Sequence, residues 1–179
     1  MKKYIKFTLI IVMGYLVSGC GGKAATSPKE FKQQVGDGGY FFKKEKFVVG
    51  KSHQFITNIL KERSKTCLNR TVKSSGSMQN RQGITTSSYT AADKYISVVS
   101  KKKNGTQMYV RMHMSSSNMI EISKQHKDGN FIVVADIDKK TNSSSVVNFY
   151  YIDSSAYETI NNTMRKWLKG KKTHCPKLN

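Results

Sequence analysis

The sequence predicts an α+β domain: a curved antiparallel sheet packed on a long C-terminal helix, with one shorter helix towards the N-terminal side. Three observations carry that expectation. Strand-like segments recur between residues 84 and 152 with turn residues between them. Tyr157, Ile160, Met164, Trp167 and Leu168 follow one helical stripe near the C-terminus. Phe55, Ile56, Ile59 and Leu60 form a second stripe ahead of the strands. An apolar sheet face and two amphipathic helices need one another to exclude water.

The elements follow in order. Residues 40–49 read as a first strand, aromatic and β-branched at its ends with lysines between, and Gly50 breaks it. Ser52 is placed to cap the first helix through its hydroxyl. Cys67 either continues the buried face of that helix or lies just beyond its end. Residues 68–73 read as a strand and 74–83 as polar turn. Residues 84–89 and 95–99 are two further strands, and Asn104-Gly105 is a hairpin cue. In 107–114, Met108, Val110, Met112 and Met114 share one face, while Tyr109, Arg111 and His113 share the other. Residues 130–137 are partly apolar on both sides, as in a central strand, and 146–152 pair with them. Ser155 and Glu158 fit a capping box opening a helix over 155–169. Lys166, Lys169, Lys171 and Lys172 suit its C-terminal dipole, and Gly170 is placed to stop it.

The N-terminus reads differently. Lys2, Lys3 and Lys6 precede an apolar stretch that ends in Leu16-Val17-Ser18-Gly19-Cys20. That stretch is too short to span a bilayer comfortably, which takes roughly 20 residues. It resembles a bacterial lipobox. The resemblance implies a lipoprotein signal peptide over residues 1–19, cleavage before Cys20, and acylation of the Cys20 thiol. It also implies a cell-envelope location. Gly21 stands where the usual inner-membrane retention signal has aspartate, so the outer membrane facing the periplasm is expected in a Gram-negative cell. Residues 20–39, rich in Gly, Ala, Ser, Lys and Gln, read as a flexible tether, with room for no more than a short helical turn around Pro28-Lys29-Glu30-Phe31. Residues 40–179 are then a single domain, long enough for one core.

Charge and cysteines narrow the class. Thirty-one Lys and Arg against eleven Asp and Glu give a net charge of +20. Such a charge biases partners rather than fold. For an exported chain nucleic acid is not expected. The expected partners are a membrane through the lipid, and an anionic envelope surface or an acidic protein. Lys101, Lys102, Lys103, Lys171 and Lys172 are the candidate contacts, with Lys43, Lys44, Lys46, Lys139, Lys140 and Lys169 also clustered. Once Cys20 is lipidated, Cys67 and Cys175 remain, and an even pair in an exported chain reads as a disulfide.

The closing helix over 155–169, the strands before it, and the tail from Trp167 to Leu178 resemble the helix-grip superfamily of START-type and Bet v 1-like domains. That resemblance implies a sheet wrapped around the last helix and a cavity between them, with Met108, Val110, Met112, Met114, Phe149 and Trp167 as candidate walls for an apolar ligand. A filled core is the competing expectation.

Other chemistry finds little footing. No His-Glu-x-x-His motif or other zinc spacing occurs, and no metal or cofactor is expected. Met112-His113-Met114 offers soft copper ligands, but alternation on a strand points His113 away from both methionines. There is no Gly-x-Ser-x-Gly elbow. Asp136 and Asp138 share a strand face without forming a hydrolase pair. No catalytic residue is assigned and no enzymatic activity is expected. The expected function is a lipid-anchored envelope lipoprotein that binds or scaffolds. The alternatives are an apolar-ligand carrier and an immunity- or exclusion-type inhibitor.

Overall fold

The computed structural model describes residues 24–79, 82–83, 85–115 and 126–178. Residues 1–19, expected as a signal peptide, and Cys20 lie outside the described residues.

Six strands form one curved antiparallel sheet. In chain order the elements are α1 (Pro28–Gly36), β1 (Phe42–Val49), α2 (His53–Arg63), β2 (Arg70–Gln79), β3 (Thr85–Lys102), β4 (Gly105–His113), β5 (Asn130–Lys139), β6 (Ser145–Ile152) and α3 (Glu158–Leu168). The spatial order is β1-β6-β5-β4-β3-β2. β1 crosses to the far side and pairs with β6, Phe42 opposite Ile152 and Val49 opposite Ser145. The central strand β5 is buried from Phe131 to Ile137, as its two-sided apolar run predicts.

α2 and α3 cover one sheet face. Ile56, Ile59 and Leu60 of α2 and Ile160, Met164, Trp167 and Leu168 of α3 pack on Met108, Val110, Ala135, Ile137, Val147 and Phe149. Each large side chain removed from water here contributes about 1.5–3 kcal/mol. Ser52 caps α2, its Oγ accepting from Phe55 N–H at 3.3 Å. The helix continues as a π-helical turn, Ser64–Leu68, which carries Cys67 fully inside. Cys67 and Cys175 form a disulfide with Cα atoms 5.1 Å apart, closing a 108-residue separation.

Five expectations need correction. The polar turn expected at residues 74–83 is strand as far as Gln79, because β2 runs on from Arg70 in register with β3. The last helix is not long: α3 has 11 residues after a 3-residue 3-10 turn at Ser155–Tyr157. The capping box at its start does not form; neither Ser154 nor Tyr157, the residues at the two caps, makes a side-chain cap bond. The strands expected at 84–89 and 95–99 are one 18-residue strand, β3, because Thr90-Ala91-Ala92-Asp93-Lys94 between them stays in register with β2. Residues 24–39 are not a free tether. Ser27 Oγ accepts from Glu30 N–H, Pro28 occupies the first turn, and α1 lies on the second sheet face. There Ala25, Phe31 and Val35 are buried against Phe131 and Val134. Phe31 meets Phe42 edge-on at 5.8 Å and Phe131 at 5.9 Å. These aromatic contacts hold down a nine-residue helix too short to persist alone.

No helix among the described residues is long and apolar enough to cross a membrane.

Candidate functional site

At one end of the sheet two hairpins meet. β3 and β4 turn through Lys103 and Asn104, with Lys102 opposite Gly105. β5 and β6 turn through residues 140–144, with Lys139 opposite Ser145. The Lys139 N–H donates to the Asn104 carbonyl at 3.3 Å, joining the two turns. Gly105 permits the approach: a Cβ there would collide with the Ile137 carbonyl oxygen. The Asn-Gly cue thus marks a real hairpin for a different reason. No non-glycine residue among those described has positive φ, and Gly105 is needed for closeness rather than handedness.

Between the hairpins lies a cleft of about 490 Å³, open to solvent and lined by His53, Lys101, Lys102, Lys103, Asn104, Gly105, Lys139 and Lys140. Its floor is a polar triangle. His53 Nε2 is 2.9 Å from Thr106 Oγ1, Thr57 Oγ1 is 3.0 Å from Thr106 Oγ1, and Thr57 Oγ1 is 3.3 Å from His53 Nε2. Thr57 and Thr106 are buried, so the imidazole is held from beneath. His53 also begins α2, whose N-terminal dipole adds positive potential. Among the described residues no carboxylate lies within ion-pair distance of Lys101, Lys103, Lys139 or Lys140.

Lys102 behaves differently. It projects to the α1 face, 3.1 Å from Asp136 Oδ1 and 3.9 Å from Asp138. Asp136 also accepts from Lys32 Nζ at 2.7 Å and Gln107 Nε2 at 2.7 Å. Burial pushes the Asp136 carboxyl up, but the hydrogen bonds from Lys32, Gln107 and Lys102 together outweigh it and hold the pKa below the ordinary carboxylate value. This network links α1 to the cleft end of the sheet.

A second polar group sits against α3. Arg165 donates to Glu45 at 2.6, 2.9 and 3.2 Å, and Tyr151 OH donates to Glu45 Oε1 at 2.8 Å. The Arg165 bonds lower the Glu45 pKa, burial opposes them, and Tyr151 adds to the lowering. The pair closes the rim of α3 over β1 and β6.

The remaining predicted residues distribute as follows. Lys171 and Lys172 do not line the cleft. The chain turns at Gly170 (φ 78°) and runs back towards the disulfide, and Lys172 pairs with Glu62 at 3.3 Å. The predicted lysine set is therefore split between two places. Met108, Val110, Phe149 and Trp167 are completely buried and Met112 nearly so, all in the core under α2 and α3, with Met114 partly buried at its edge. They fill the core rather than line the cleft. The register puts Met112 on the α2–α3 face and its neighbour His113 on the other, so the two do not share a ligand set. Among the described residues no three His, Cys, Asp or Glu side chains gather as metal ligands.

Sequence reasoning did not find His53, Thr57, Thr106, Lys32, Glu45 or Arg165. His53 and Thr57 are four apart on α2, but each of the six also meets a partner across roughly 50 residues or more, a separation that no local pattern encodes. One signal was present: Glu45 is the single acid in a strand of lysines.

No family model matches the sequence, and no curated protein does. Two crystal structures share a distant likeness. A hypothetical protein of Helicobacter pylori aligns with a TM-score of 0.39 at 10% identity, over 86% of this chain and 96% of that one. An uncharacterised protein of Bacillus thuringiensis aligns with a TM-score of 0.31 at 11% identity, over 72% of this chain and 96% of that one.

Proposed function

We propose that this chain is a lipid-anchored, non-enzymatic binding protein of the cell envelope, which engages an anionic partner through the cleft between its two basic hairpins. The observation that carries the reading is the convergence of Lys101, Lys103, Lys139 and Lys140 beside His53, without carboxylates of the described residues to neutralise them. Like charges gathered around one cleft raise its positive potential, which favours an anion there. The resemblance of residues 16–20 to a lipobox supports the placement, and the Cys67–Cys175 disulfide supports an oxidising compartment. In a Gram-negative cell the site would be the outer membrane, periplasmic side. Neither the apolar-carrier reading nor the inhibitor reading has a comparable observation behind it. The helix-grip likeness stays a proposal of lineage, resting on an antiparallel sheet closed by a C-terminal helix.

Cell fractionation tests the placement. A Cys20→Ser chain should leave the membrane fraction or accumulate with its signal uncut. A Cys20→Ser chain that stays processed and membrane-bound like the parent would overturn the reading.

A further inference from the structure

The point at which the described chain begins, close in sequence to the proposed anchor, and the basic cleft lie at opposite ends of the sheet. Ala25 is buried against Phe131 at the start of β5, and the Thr26 carbonyl accepts from Arg111 near the end of β4. The cleft lies at the other end of the same strands, at Gly105 and Lys139. Along β5, from Phe131 to Lys139, the separation is about 26 Å at roughly 3.3 Å per residue. Only Gly21, Gly22, Lys23 and Ala24 stand between Cys20 and Ala25. Fully extended, that spacer reaches about 18 Å. Because α1 is docked, the long tether the composition promises is shortened to these four residues, and the cleft cannot fold back onto the anchored thiol.

The occupant follows from the cleft's chemistry. A bilayer surface is a poor fit. The hairpin tips, Lys103-Asn104 and Lys140-Thr141-Asn142-Ser143, carry no apolar side chain to insert among acyl chains. A folded protein is a poor fit as well, since the lining offers no aromatic or aliphatic anchor of the kind that dominates protein interfaces. Single-stranded nucleic acid would want stacking platforms, and the lining has none beyond His53. What remains is a hydrophilic, extended polyanion whose charges are spaced along a chain. Cationic nitrogens on both walls, with the hydroxyl-backed imidazole below, match a linear carboxylate-bearing glycan.

We infer that the protein bridges two envelope layers: acylated at one end of its sheet, it holds an acidic glycan of the cell wall in trans at the other. This rests on the lipid-anchored reading above and adds the direction of binding and the polymer class.

The test uses the acylated full-length chain in neutral phosphatidylcholine vesicles, with polygalacturonate as the probe and co-sedimentation as the readout at low and high salt. The anchored protein should capture the polymer, and high salt should release it. Changing Lys101, Lys103, Lys139 and Lys140 together to Gln should weaken capture about tenfold or more, as expected when several ionic contacts are lost. The same positions changed to Arg should restore it, and Lys171→Gln with Lys172→Gln should leave it unchanged. Capture in detergent micelles but not on vesicles would overturn the outward orientation and leave the basic cleft standing. Loss of capture in both, with the chain still membrane-bound, would overturn the glycan assignment while sparing the anchor. Tighter binding to phosphatidylglycerol vesicles, or to polyglutamate, would replace the glycan with a bilayer or an acidic protein and sink the inference.

Discussion

The two faces of the sheet are covered by unlike means. On one, α2 and α3 come from opposite ends of the domain and meet over an apolar layer that is almost wholly dry, with a disulfide behind it. On the other, nine-residue α1 rests on a few aromatic contacts, one buried carboxylate shared by two lysines, and Arg111 stacked 4.2 Å over Phe131. The first face sets whether the chain folds. The second is a latch on a body that is already folded, and it fixes where the N-terminal segment leaves the domain.

Truncation separates the two most sharply. Trp167→Ala should cost about 3–5 kcal/mol, since the indole is fully buried in the core, and thermal or denaturant unfolding will show a large loss of global stability. Phe31→Ala removes an equally buried ring, yet its effect should be confined to α1. Hydrogen exchange should show lost protection over residues 24–39 with the strands still protected. Equal global losses in both variants would erase the distinction.

The carboxylate of the latch gives a smaller, pH-dependent effect. The folded-state pKa of Asp136 lies below its unfolded value of about 3.9. Its stabilisation is therefore complete above that value and is lost as pH falls through the folded pKa. Asp136→Asn should cost about 1–3 kcal/mol at neutral pH, because Lys32 and Lys102 lose a buried partner. The gap between parent and variant should narrow below about pH 4. A gap that stays constant down to acid pH would assign the cost to shape, not charge.

The smallest effect belongs to the Glu45–Arg165 pair at the rim of the first face. Glu45 is 34% exposed, so solvent screens the pair despite three short contacts. Glu45→Gln should lower stability by less than about 1 kcal/mol in equilibrium unfolding. A loss as large as that of Asp136→Asn would show that the rim is as dry as the interior.

What the sequence made legible follows the same division. β4 alternates in sequence from Gln107 onward and its burial alternates with it, whereas β6 alternates in burial although its sequence is apolar on both faces. The stripes of α2 and α3 are equally plain, since apolar side chains at helical spacing have one place to go. α1 was hidden by composition: two apolar residues, Phe31 and Val35, sit among glycine, lysine and glutamine. Its start was nonetheless written at Ser27, Pro28 and Glu30, and what propensity alone left undecided was the aromatic pocket contributed by Phe42 and Phe131. The lysine clusters were visible as runs, but their meeting depends on hairpin register and on the absence of a Cβ at Gly105. Lys102, in the middle of one run, turns the other way because strand alternation sends it to Asp136.

The strand order has a bearing on synthesis. β1 is the first strand made, yet its sole neighbour in the sheet is β6, the last. During elongation the early strand has no partner until nearly the whole chain has been made. Strands β2 to β5 can pair in turn as they appear, but β1 joins the sheet only once the final strand arrives.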